Sequence, residues 1–125
     1  MTEKKKYEIT VTSRVAYVPD QSDDDNYVFA YTITLVNSGS VSARLVSRHW
    51  IITDASQAVQ EVRGQGVVGQ QPLLRPRESF EYSSGTAIAT PVGAMRGSYQ
   101  MVAEDGTQFE AQIPEFALVM PRTLH

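Results

Sequence analysis

Apolar and polar residues alternate with a period of two over most of this chain. From Tyr7 to Val18, Tyr7, Ile9, Val11, Val15 and Tyr17 occupy one set of alternate positions, and Glu8, Thr10, Thr12 and Arg14 the other. That spacing predicts a half-buried β-strand. Pro19 to Asn26 reads PDQSDDDN, whose turn formers and aspartates predict a solvated loop. Alternation resumes from Tyr27 to Asn37, with Tyr27, Phe29, Tyr31, Ile33 and Leu35 on one face and smaller residues on the other, as expected of a central strand. The Asn37–Ser40 segment predicts a tight turn into a partner strand, Val41 to Ile52, so the two strands should form a long hairpin. Gln57 to Arg63 fits neither the strand nor the helix period well.

Gly64 to Pro72 is a glycine-rich loop, Pro76 to Glu78 a further turn, and Ser79 to Ser83 a short strand carrying Phe80 and Tyr82. Arg96 to Ala103 and Thr107 to Pro114 flank Glu104, Asp105 and Gly106, where an Asp-Gly pair favours a primed turn with positive φ at both central residues. Glu115 to Met120 reads as a last edge strand before Pro121. Strands recur, turn signals arrive about every ten residues and helical periodicity is nearly absent, which together predict a two-sheet β-sandwich of the immunoglobulin and fibronectin type.

The 125 residues suit one domain, with a formal charge of −3 and 42 % hydrophobic residues. A pI near 5.3 argues against nucleic-acid binding by bulk charge. With no cysteine, thiol catalysis, iron–sulfur clusters, zinc-thiolate sites and disulfides are excluded, and a reducing cytoplasm fits. No apolar run approaches the roughly 20 residues of a membrane span, and Lys4, Lys5 and Lys6 have no apolar segment behind them, so neither membrane insertion nor secretion is expected.

Gly64, Gly66 and Gly69 match G-x-G-x-x-G, the dinucleotide-binding spacing. The context is wrong for that fold, because Pro72 and Pro76 prevent the helix that should follow and no acidic residue lies about 20 positions onward. Two readings stay open. The loop amides could form an anion-binding nest helped by Arg63, Arg75 and Arg77, or the glycines could steer Val67, Val68, Leu73 and Leu74 onto the core, with Gly66 left-handed. A Ser-His-Asp arrangement would need His49 to find Asp54 or a distant acid plus an activated serine, and nothing singles out such a serine. His49 and His125 are too few for a transition-metal site, and Asp20, Asp23, Asp24 and Asp25 lack the glycine and distant glutamate of a calcium loop. Trp50 shares its alternation with Arg44 and Arg48. A bulge would put it inside; without one, all three could form an exposed recognition patch.

The ordered series Arg48-His49-Trp50-Ile51-Ile52-Thr53-Asp54, Gly64 to Leu73, Tyr82-Ser83-Ser84-Gly85 and Thr90 to Tyr99 resembles bacterial ApaG (CorD) proteins, as do the Tyr27 to Tyr31 strand and the Ile113-Pro114 ending. The likeness spans nearly the whole chain and makes residues 1–125 a single ApaG domain. It implies a fibronectin type III-like sandwich and an association with cobalt resistance and magnesium efflux. Genes of the family often neighbour a diadenosine tetraphosphate hydrolase, and related domains occur in eukaryotic F-box proteins and a polymerase-interacting protein, in roles inferred to be protein contacts. The expectation is therefore a non-catalytic, cytoplasmic protein-interaction module with no cofactor or resident metal and an unidentified protein partner. The alternative is a phosphorylated small molecule (phosphate, pyrophosphate or a nucleotide) bound at the glycine loop.

Overall fold

The alternation expected for Tyr27–Asn37 is realised residue by residue: Phe29, Tyr31, Ile33, Leu35 and Asn37 are buried, and the residues between them half-buried. In the structure, a computed structural model describing residues 4–121, this segment is the middle strand of a three-stranded antiparallel sheet. In chain order the strands are β1 (Ile9–Tyr17), β2 (Tyr27–Asn37), β3 (Ala43–Asp54), β4 (Val59–Gln65), β5 (Leu73–Leu74), β6 (Ser79–Ile88), β7 (Val92–Ala103) and β8 (Gln108–Val119). The sheet β1-β2-β6 faces a five-stranded sheet ordered β4-β3-β7-β8, with the short β5 also paired to β3. This is an all-β, fibronectin type III-like sandwich. Its core is filled by Phe29, Ile33, Leu35, Leu45, Met95, Tyr99, Met101 and Leu118, all nearly inaccessible. The one helical piece among the described residues is a 3-10 turn at Pro19–Gln21 inside the acidic loop, so none is long and apolar enough to cross a membrane.

Four local expectations are corrected. First, β2 and β3 do not form a hairpin. β2 pairs with β1 and β6, whereas β3 lies in the opposite sheet, so Asn37–Ser42 crosses between layers. The Asn37 carboxamide builds this crossing, donating to the Val41 and Leu74 carbonyls at 2.9 Å each and accepting from Gly39 N–H at 2.9 Å. Second, Ala103 accepts from Gly106 N–H, and of the turn residues only Gly106 has positive φ, at +88°. This is an ordinary turn closed by a left-handed glycine, not a primed one. Third, β6 continues to Ile88 and β7 begins at Val92. Fourth, Thr107–Pro114 and Glu115–Met120 are not separate strands, because β8 runs through Pro114. It can do so as an edge strand, and a bulge there lets Ile113 pair with Gly97 and Phe116 with Met95.

Candidate functional site

Leu45 and Trp50 are five residues apart and both buried, which uninterrupted alternation forbids. The register of β3 against β7 shifts between Leu45 and Ser47, leaving Val46 as the inserted residue. This bulge turns Trp50 inward, where it is 2 % exposed, and brings Arg48 onto the same side. Arg44, before the bulge, stays exposed and donates to the Gln71 carbonyl at 2.7 Å. The exposed patch of Arg44, Arg48 and Trp50 therefore does not exist.

Beside Arg48 lies the glycine motif. Arg48 Nη1 donates to the carbonyls of Gln65 at 3.0 Å and Gly66 at 2.8 Å. Gly64 is its cross-strand partner, and a β-carbon there would stand 2.8 Å from the guanidinium. Val67 and Gln70 exchange N–H···O bonds of 2.8 and 2.9 Å around Val68 (φ +43°) and Gly69 (φ +77°), the geometry of a type I′ turn. Gly66 enters this turn at φ +63° and donates to the Val46 carbonyl at 2.8 Å. The glycines thus seat a guanidinium and close a small hairpin. The amides of Gly66, Val67 and Gln70 are already committed to carbonyls.

Val67 and Leu74 are buried as expected, but Val68 and Leu73 are not: they are 54 % and 42 % exposed. Arg63 lies on the outer face of β4 near Glu61 and lines a surface hollow with Gly64 and Gln65. Arg75 pairs with Glu78, and Arg77 sits at φ +74° in the turn before β6. Of the two hollows at the glycine motif, the outer one is lined by Arg63 and the one on the core side by Arg48.

Arg48 stands in a cleft where β4 and β6, one edge strand from each sheet, part. Two adjoining hollows of about 280 and 190 Å³ share Tyr31, Arg48, Trp50 and Ser84. One reaches Val67, Val68 and Gly69; the other reaches Gln60, Val62, Gly85 and Thr86. At the floor, the Tyr82 and Tyr99 hydroxyls share a buried hydrogen bond of 2.5 Å that ties β6 to β7. Burial pushes the Tyr82 phenol up to about 12 and shifts Tyr99 in the same direction. Both states are protonated below pH 10, but above it the unfolded chain loses protons that the native pair retains. Unfolding free energy should therefore fall between pH 10 and 12, by on the order of 2–3 kcal/mol through Tyr82. Urea midpoints measured across that range check this, and Tyr82→Phe should flatten the slope.

His49 lies on the outer face of the five-stranded sheet. Its Nε2 is buried without a hydrogen-bond partner, 3.6 Å from a Glu61 carboxylate oxygen. Asp54 does not join it. Its Oδ1 instead accepts from Ser56 N–H, Ser56 Oγ–H and Ala58 N–H, bonds that close the β3–β4 turn, and the Ser56 hydroxyl foremost holds the carboxyl below its ordinary value. Among the described residues, no group of three or more His, Asp or Glu side chains could hold a metal ion. His125 lies outside them. The aspartates of the acidic loop fold on themselves, Asp25 N–H donating to Asp23 Oδ1 at 2.8 Å.

Residues 18–103 match the family model of the ApaG domain. The chain belongs to the ApaG family. Proteins named ApaG from Thiobacillus denitrificans and Nitrosospira multiformis are each 65 % identical to it, with both chains covered in full. The crystal structure of a putative ApaA protein from Bordetella pertussis is similar at 58 % identity and a TM-score of 0.91, covering 95 % of this chain and 98 % of that one. The family assignment thus agrees with the resemblance carried by the Arg48–Asp54 and Gly64–Leu73 motifs.

The feature that sequence reasoning missed is the role of Arg48. Its signal is a glycine directly across the β3–β4 hairpin, legible only once the register is known.

Proposed function

We propose that this ApaG-family chain is a non-catalytic, cytoplasmic protein-interaction module. The observation that carries this reading is the Arg48 cleft, an opening between two free strand edges with aromatic walls and a single cation. Strand edges offer backbone donors and acceptors to a partner chain, and a cleft beside them offers side-chain selectivity. Catalysis has less support: His49 has no hydrogen-bonded acid or nucleophile, and Asp54 is occupied by its own turn. The family's association with cobalt and magnesium would then reach this chain through a partner. Affinity capture from the native cell, followed by titration of purified components at physiological salt, should give a saturable complex. Repeated failure to obtain one would sink the reading.

A second reading is a phosphate, pyrophosphate or nucleotide ligand at the glycine loop of Gly64, Gly66 and Gly69, drawn there by Arg63 with Arg75 and Arg77 as more distant cations. What favours it is the Arg48 guanidinium seated against Gly64 and Gly66. Titration with pyrophosphate, ATP and diadenosine polyphosphates, with and without magnesium, should then shift the amides of residues 64–70 saturably. No shift at millimolar ligand removes it.

A further inference from the structure

We propose that the cleft between β4 and β6 is filled by an extended acidic segment of a partner protein. The segment adds to β6 as the fourth strand of the three-stranded sheet and sets one carboxylate on Arg48. The inference rests on the interaction reading above and deepens it.

The first support is a mismatch in strand number. Across the β3–β4 ladder Trp50 pairs with Val62 and Ile52 with Gln60, and cross-strand partners share a face. Trp50 and Ile52 face the core, so Val62 and Gln60 point the same way, yet both are exposed and Val62 is 39 % accessible. The three-stranded sheet ends at β6 and leaves β4 without a strand opposite. A strand added beside β6 would cover Val62 and Gln60.

The second support lies in β6. Its inward positions run Phe80, Tyr82, Ser84, Thr86 and Ile88, with small polar residues where the cleft opens. Ser84 and Gly85 are exposed, and from Ser83 to Ile88 the edge carries none of the prolines or charges that usually protect edge strands from added strands. The Val67–Gln70 turn closes one end of the cleft, and the bond from Ala55 N–H to Thr90 Oγ1, at 2.9 Å, holds the loops at the other. Ser84 to Ile88 spans about 13 Å at the usual strand rise, enough for about five residues.

The third support is charge. Arg48 is the one charged residue lining the two hollows, and among the described residues it makes no ion pair. Its hydrogen bonds run through Nη1 to neutral carbonyls, which fix the guanidinium without neutralising it. A planar fork held in this way suits a carboxylate. Free phosphate would meet the same charge, but it would leave the β6 edge unpaired and Val62 uncovered. Inward residues of the added strand recur every second position, so the segment should read apolar-x-acidic-x-apolar, its apolar residues meeting Val62, Trp50 and Tyr31.

The test is selection of displayed dodecamer peptides against the full chain, followed by titration of synthetic copies. Recovered peptides should carry Asp or Glu with apolar residues two positions to each side. They should shift the Ser84–Ile88 amides and slow their hydrogen exchange. Changing the peptide's acid to its amide should weaken binding roughly tenfold or more, and Val62→Glu, an exposed change, should do the same. Arg48→Met should also weaken it, but Arg48 braces the glycine turn, so the peptide-side change is the control that leaves the fold untouched. Binding that is indifferent to the acid, that shifts other strands, or that inorganic phosphate or pyrophosphate reproduces while no peptide does, overturns the proposal. A native partner whose affinity survives both Val62→Glu and Arg48→Met also overturns it and leaves the interaction reading standing. Failure of both capture and peptide selection overturns both.

Discussion

Trp50→Ala is expected to lower the unfolding free energy by about 3–5 kcal/mol and the melting temperature by roughly 10–25 °C. The indole is 2 % exposed and packs on Tyr31 at 5.3 Å between ring centroids, with edge-on contacts to Phe116 at 5.9 Å and Tyr99 at 6.3 Å. These rings belong to β2, β7 and β8 as well as β3, so truncation leaves a cavity that no single strand can collapse to fill. Each ring pair adds a smaller directional term to the area lost. As the sole tryptophan, Trp50 reports on itself: native emission should be blue-shifted and move to the red on unfolding. Red-shifted native emission, together with an unchanged melting temperature in the alanine variant, would show that the ring is not packed as described.

Gly66→Ala is the second large effect, expected to cost about 2–4 kcal/mol against about 1 kcal/mol for Gly69→Ala. Both glycines are left-handed, at φ +63° and +77°, so both variants carry backbone strain. They differ in their surroundings. A β-carbon at Gly66 collides with the Gln70 carbonyl oxygen, the acceptor that closes the turn, whereas one at Gly69 has nothing within 4 Å. Relief of that collision would open the Val67–Gln70 pair and move the Gly66 carbonyl that Arg48 holds. Urea denaturation of the two variants side by side checks the ordering. Equal costs, or a harmless Gly66→Ala, would mean that the turn is not built as described.

Much of the candidate site was half-legible in the chain. That Trp50 shares its alternation with Arg44 and Arg48 left two solutions, a bulge that buries the indole or an exposed patch of all three, and the burial of Trp50 decides for the bulge. The position of the bulge did not follow. It rests on Val46 being the residue skipped against β7, which depends on the ladder. The glycine motif likewise announced tight backbone, and its prolines excluded a helix. That Gly64 makes room for a guanidinium required knowing that it faces Arg48.

By itself the sequence determined the strand class, the approximate spans of β1, β2 and β3, and the tight backbone of the glycine motif. These depend on residues near one another along the chain: side-chain alternation, turn chemistry and the steric freedom of glycine. Tertiary structure alone decided that β2 and β3 lie in opposite sheets, because alternation looks the same whether the next strand pairs alongside or stacks across. It also decided the cleft, since an unmatched strand is a property of two sheets counted together. Arg48 belongs to both accounts. Its charge is written in the chain, but its half-buried place at the parting of β4 and β6 comes from the packing of strands distant in sequence.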